Sequence, residues 1–304
     1  MRKYCSILLA TVLSCISVGV AAEDDCEKII KDSKRLACFD KQGQQGATLF
    51  AGGLKTYKPN YFMLFSYNKN RADQLVTGID TGLDADKTEA KFQFSFKHPI
   101  RLDVFSSDVD VWFAYTQKSF WQLYNTENSS PFRESNYEPE VWFEKSFVSA
   151  GHDGWHISKV SAGFNHQSNG RGELLSRSWN RIIGSAQLKK VLSDDQKLAV
   201  DFRLWRRLSE DADEDDNPDL IDYMGHGDVT AIYQSGPHQV SLQLRNILSG
   251  NSRHGISLDY SFPLRWSDNV RGYVQYFDGY GESLIDYNQK NKTISLGVAV
   301  AHWL

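Results

Sequence analysis

The chain has 304 residues, with 34 Lys and Arg against 38 Asp and Glu, and its formal net charge of −4 gives no basic footprint for nucleic acid. Charged residues make up 24% and aromatic residues 13%. Beyond the first 22 residues no segment approaches the roughly 20 consecutive apolar residues that a transmembrane helix needs, so helical spans are excluded and spanning strands are not.

At the N-terminus Arg2 and Lys3 precede an apolar run from about Ile7 to Val20, closed by the small residues Ala21 and Ala22. The run is too short to span a bilayer and reads as a secretory signal, residues 1–22. Cys5 and Cys15 would leave with it. Cys26 and Cys38 flank "EKIIKDSKRLA", whose apolar residues Ile29, Ile30 and Leu36 have helical spacing. In an oxidising compartment this pair is expected to form a structural disulfide, since two cysteines without a nearby His cannot complete a metal shell. Residues 23–58 are expected to form a periplasmic N-terminal segment with a short helix.

From residue 59 onward the pattern is period two. "AKFQFSFKH" sets Ala90, Phe92, Phe94 and Phe96 against Lys91, Gln93, Ser95 and Lys97. "LAVDFRLWRR" and "VSLQLRN" repeat the alternation, and "ISLGVAVA" alternates Ile294, Leu296, Val298 and Val300 with small residues. About twelve such segments appear, near 61–68, 89–97, 110–121, 140–148, 156–166, 178–189, 197–207, 227–235, 239–247, 256–264, 270–277 and 292–303. Short connections such as "LSDDQ" and "SGPH" are interleaved with long polar ones such as "SEDADEDDNPDLIDYMGHG". This predicts an all-β fold for residues 59–304: a twelve-stranded antiparallel transmembrane β-barrel of the bacterial outer membrane, with long extracellular loops and short periplasmic turns. A soluble β-sandwich would explain the alternation too, but not the alternating loop lengths. The acidic run Glu210 to Asp216 reads as a solvated loop tip.

"VSAGFNHQS" puts Val160, Ala162, Phe164, His166 and Ser168 on one face. In "WNRIIGSAQL" Asn180 shares a face with Ile182, Gly184, Ala186 and Leu188. If the apolar faces meet lipid, a His, a Ser and an Asn all point outward near the ends of two adjacent strands. Residues i and i+2 of a strand have Cα atoms roughly 6 to 7 Å apart, so imidazole and hydroxyl can meet. A Ser needs a base to take its proton, and the base works best when a third group fixes its tautomer. Polar groups facing hydrocarbon are functional candidates, although "SNG" at Ser168 to Gly170 is also an ordinary turn. The expected oxyanion donors are the backbone amides of Ser168 and Gly170.

The segments "NHQSNGRGELLSRSWNR", "YTQKSFWQL", "SSPFRESNYEPEVWF", "NPDLIDYMGHG" and "GYGESLIDYN" closely resemble outer-membrane phospholipase A, over nearly the whole mature chain. The resemblance implies a twelve-stranded barrel that hydrolyses acyl esters of phospholipids at both glycerol positions, with phospholipase A1, A2 and lysophospholipase activities, requires calcium and is active as a homodimer. It assigns His166 as general base, Ser168 as nucleophile and Asn180 as the residue orienting the His. It further assigns Arg171 (through its carbonyl) and Ser176 as calcium ligands, Ser129, with adjacent Ser130 as the alternative, as a ligand from the partner subunit, and Gln117 as a dimer contact. Two departures from the family stand out. Gln167 occupies a position where the family carries an acidic residue, and the chain ends "AHWL", with Trp303 in place of a terminal aromatic. A porin-like transport barrel is the rival reading, and a purely adhesive surface barrel a third; neither requires an outward His, Ser and Asn.

Overall fold

The computed structural model describes residues 53–301 apart from 72–74, 77–78, 81–84, 105–107, 148–153, 248 and 251. The expected signal, Cys26, Cys38, the expected short helix between them and Trp303 lie outside the described residues. All described residues fall within one compact unit, Gly53–Leu304.

Twelve strands build the wall: β1 Asn60–Asn68, β2 Thr88–Val104, β3 Val109–Trp121, β4 Phe132–Ser146, β5 His156–Ser168, β6 Ser178–Ser193, β7 Gln196–Arg207, β8 Gly227–Ser235, β9 His238–Arg245, β10 Gly255–Leu264, β11 Ser267–Gly279 and β12 Asn291–Ala301. Each pairs antiparallel with its sequence neighbour, and β12 returns to pair with β1. The ring is closed, so no edge is left unpaired, which is the condition for strands to exist in hydrocarbon. Lys55–Thr56 adds a short pairing to the middle of β2, at Phe96 and Lys97.

The wall is inverted relative to a water-soluble protein. Phe94, Val141, Phe143, Phe164, Ile182, Leu204, Val240, Leu242, Leu258 and Leu296 are exposed, while their alternates point into the lumen. Inside, Glu138 takes Lys58 at 2.6 Å and Arg181 at 3.0 Å, and Arg203 pairs with Glu140. A second cluster joins Glu89 to Arg71 and Arg133 and Arg133 to Asp286. A third joins Lys91 to Glu282 at 2.9 Å. Burial alone would raise the Glu282 carboxyl, but Lys91 and Lys118 outweigh it and bring the group down to about 2. Buried charges are tolerable only when paired in this way. The lumen keeps a polar cavity of about 240 Å³.

At the end bearing the long connections, helix α1 (Leu220–Met224) and the segment 280–290 fold inward. Leu220, Met224, Leu284 and Tyr287 pack on Trp179, Ile183 and Trp205. Trp179 and Trp205 meet edge to face, 6.1 Å between centroids. This plug backs the ends of β5 to β7, where the polar outward residues sit.

Strand β4 begins at Phe132, eight residues before the predicted 140. Its outer half, "FRESNYEP", carries Ser135 and Tyr137 where hydrophobic alternation would be needed to reveal it. Pairing with β3 from Phe132 onward supplies the strand that composition does not announce.

Candidate active site

Strands β5 and β6 are in a register that sets Phe164 opposite Ile182, His166 opposite Asn180 and Ser168 opposite Ser178. Phe164 and Ile182 are 45% and 55% exposed on the outer wall. With the strand period of two, His166, Ser168 and Asn180 project from that same lipid-facing side. His166 Nδ1 lies 2.9 Å from Asn180 Oδ1. Ser168 stands one pleat further along the face. Among the described residues its hydroxyl makes no hydrogen bond, to the ring or elsewhere, and catalytic hydrogen bonds commonly tighten only with substrate present.

The alternate residues of the same strands face inward. Asn165 is fully buried and accepts from Arg181 Nε at 2.9 Å. Gln167 accepts from Trp179 Nε1 at 2.8 Å, and the Arg181 guanidinium stacks 3.8 Å from the Trp179 ring centre. Gln167 therefore serves the lumen, and its departure from the family's acidic residue falls on the side away from His166 and Ser168.

Between β5 and β6 the chain turns through 169–177, and Asn169 sets its shape. Nearly fully buried, it accepts from the amides of Arg177 and Arg171 and donates to the Leu175 carbonyl at 2.9 Å. Gly170 follows at φ +65°, a left-handed conformation that favours glycine. An added Cβ there would also come within 3.1 Å of the Tyr137 ring. The Gly170 amide donates to no acceptor among the described residues, and it sits two residues beyond the Ser168 hydroxyl.

Arg171 turns its side chain away from this face, ion-paired to buried Glu134 at 3.4 Å. Its carbonyl receives no hydrogen bond among the described residues, and Ser176, directly after the short turn Glu173–Leu175, lies half-buried on the same connection. Ser129 and Ser130 belong to the turn between β3 and β4, both at positive φ, 59° and 48°. They differ in use: the Ser130 hydroxyl donates to Leu123 O at 3.1 Å, while the exposed Ser129 hydroxyl has no protein partner among the described residues. Gln117 pairs across β3 and β4 with Tyr137, and Tyr137 pairs across to Ser168. One row of the wall thus runs Gln117, Tyr137, Ser168, Ser178, and Gln117 stands two strand spacings, roughly 10 Å, from the nucleophile candidate.

Motif reading did not single out four residues at this site: Asn169, Tyr137, Asn217 and Glu210. Asn217 bonds the Ser178 backbone on both sides, accepting from its N–H at 2.9 Å and donating to its carbonyl at 3.0 Å. The acidic run is not solvated throughout. Asp211, Asp213 and Glu214 are exposed, but Asp215 pairs with Arg207 at 2.6 Å and Glu210 accepts from Asn180 Nδ2 at 3.1 Å. A long-range side-chain contact made by a loop has no periodicity to betray it; the only signal is an acidic residue two or three positions past a strand end.

The cavity of about 240 Å³ is in the lumen, and His166 does not line it. A convex outer wall suits a substrate that surrounds the protein. Residues 39–300 match the family model described as phospholipase A1. A relative from Neisseria meningitidis serogroup B is 38% identical over 257 residues, spanning 81% of this chain and 65% of that one. The structure is similar to outer membrane phospholipase A from Escherichia coli, with 33% identity, TM-score 0.72, and coverage of 82% of this chain and 92% of that one. It is equally similar to the Salmonella typhi outer membrane phospholipase dimer with bound calcium, at 32% identity and TM-score 0.72, with 82% and 92% covered. The chain is an outer-membrane β-barrel that belongs to the phospholipase A1 family.

Proposed function

We propose that this barrel hydrolyses acyl esters of phospholipids lying beside its wall, at both glycerol positions and on lysophospholipids, with Ser168 as nucleophile, His166 as general base and Asn180 orienting the base. The observation that carries the reading is the 2.9 Å contact of His166 Nδ1 with Asn180 Oδ1 on the lipid-facing side. An amide oxygen only accepts, so Nδ1 carries the ring proton and Nε2 keeps its lone pair. Ser168 Oγ attacks the ester carbonyl as its proton passes to Nε2. The imidazolium then protonates the departing glycerol oxygen, leaving an acyl group on Ser168. Water activated by the same nitrogen releases the fatty acid and restores the hydroxyl. The amides of Gly170 and Ser168 are the donors for the developing oxyanion.

The residues present fit a calcium ion. The Arg171 carbonyl, the Ser176 hydroxyl and Ser129 of the partner subunit are neutral oxygens of the kind a hard cation takes, completed by water. When bound, the ion supplies positive charge close to where the oxyanion develops. One protomer offers only part of this set, which is why activity is assigned to a homodimer packed through the face that carries Gln117. Of the two serines in the β3–β4 turn, Ser129 is assigned as the ligand because its hydroxyl is the more exposed and has no protein partner among the described residues, whereas the Ser130 hydroxyl is turned to Leu123 O. Long connections then face outside the cell. A porin-like path gains no support from a lumen crossed by Lys58, Arg181 and Arg203 with Glu138 and Glu140.

Fatty acid release from detergent-dispersed phospholipid, assayed with calcium and then with a chelator, tests the reading. Release that stops on chelation is expected. Solute flux through liposomes without fatty acid release would sink it.

A further inference from the structure

The geometry points to Glu210 as a positioning residue that fixes the tautomer of His166 through Asn180. This rests on the hydrolase reading given above. Asn180 uses both ends of its amide: Oδ1 toward His166 Nδ1 at 2.9 Å and Nδ2 toward Glu210 Oε1 at 3.1 Å. The two ends of an amide are nearly alike in shape, and rotation by half a turn about the last side-chain bond would exchange them. If it turned, NH2 would face the imidazole, Nδ1 would have to accept, and Nε2 would carry the proton. That tautomer cannot act as base toward Ser168. An ionised carboxylate only accepts, so with Glu210 in place the end facing it must be NH2 and the end facing His166 must be oxygen.

The chain delivers Glu210 to this position by backbone and side-chain bonds. Past the end of β7, the Leu208 amide donates to the Asn180 carbonyl at 2.8 Å, which lays the connection alongside β6. Arg207 then pairs with Asp215 at 2.6 Å, approaches Glu210 Oε2 at 3.7 Å and donates to the Asn217 carbonyl at 2.9 Å. Asn217 in turn grips Ser178, two residues before Asn180. Glu210 therefore approaches Asn180 from a loop anchored on both sides, with Arg207 as the cation facing it. The carboxylate also supplies the negative charge that a neutral Asn lacks, one hydrogen bond further from the ring. Charge-assisted bonds are stronger than neutral ones, so the polarised amide is a better acceptor for the imidazolium formed during attack.

The test is steady-state fatty acid release by the full-length barrel, with Ser168→Ala, Glu210→Ala, Glu210→Gln, Asn180→Asp and Asn180→Asp with Glu210→Gln. Heat-modifiable migration serves as the control for folding. Ser168→Ala addresses the hydrolase reading itself: if it retains full activity, that reading fails whatever Glu210 does. Given its loss of activity, Glu210→Ala should lower kcat about tenfold with KM within about twofold, since the contact acts on the base and not on the lipid. Glu210→Gln, which can still accept through its carbonyl, should recover part of that loss. In the Asn180→Asp background the sign should invert. Two carboxylates would then face each other, and Glu210→Gln should raise kcat. A Glu210→Ala variant with unchanged kcat, or a Glu210→Gln effect of the same sign and size in both backgrounds, would overturn the proposal.

Discussion

At the ends of β5 and β6 the two faces of the same strands follow opposite rules. Toward the lumen, Asn165, Arg181 and Glu138 are bonded redundantly: Arg181 reaches Asn165 and Glu138 and stacks on Trp179, while Glu138 also takes Lys58. Toward lipid, one residue away in sequence, His166 makes a single side-chain bond and the Ser168 hydroxyl makes none among the described residues. An unpaired charge inside the barrel is costly, so that face is overdetermined. The outer face keeps unspent capacity, a ring nitrogen, a hydroxyl and the Gly170 amide, which is what acyl transfer consumes. On the proposed mechanism, structure and chemistry are thus divided by the alternation of the strand.

Substitutions can break this division, and the largest effect is expected on the outer face. His166→Ala should lower fatty acid release on the order of 10³-fold or more, with the barrel still heat-modifiable. On the inner face Glu138→Ala should do the reverse. It leaves Lys58 and Arg181 without their shared carboxylate and should destabilise the barrel by about 3 to 5 kcal/mol, read in denaturant unfolding, while kcat per folded molecule changes less than about threefold. At the turn between β3 and β4, Ser129→Ala should raise the calcium concentration needed for half activity about tenfold. Ser130→Ala should leave that requirement alone and loosen only the turn. A smaller, pH-dependent effect belongs to Glu282. Its carboxyl is held at about 2, below its ordinary 4.5, so its contribution to stability is present above the ordinary value and lost as pH falls through the lowered one. Unfolding of Glu282→Gln should therefore differ from the parent most at neutral pH, and the two should converge as pH approaches about 2.

The same division explains what could be read from the amino-acid order. Where outward residues meet lipid and inward residues meet charge, as in Lys91 to Phe96 or Ser241 to Arg245, hydrophobic alternation marks the strand, and twelve strands close the ring. From there the outward direction of His166, Ser168 and Asn180 follows by counting. Alternation fails at the rim, where the outer half of β4 carries Ser135 and Tyr137. It is also silent about pins that join side chains to distant backbone: Asn169 on its own turn, Asn217 on Ser178, and Glu210 on Asn180 thirty residues away. These contacts depend on loop conformations that neither spacing nor composition encodes.

On the proposed mechanism, acyl transfer occurs on the lipid-facing wall at Ser168. Reaction of the folded barrel with an alkyl fluorophosphonate, followed by peptide mass spectrometry, tests it most directly. One adduct is expected, on Ser168, abolished in His166→Ala although the serine is still present. An adduct elsewhere with parallel loss of fatty acid release, or labelling of Ser168 that is indifferent to His166, would contradict it.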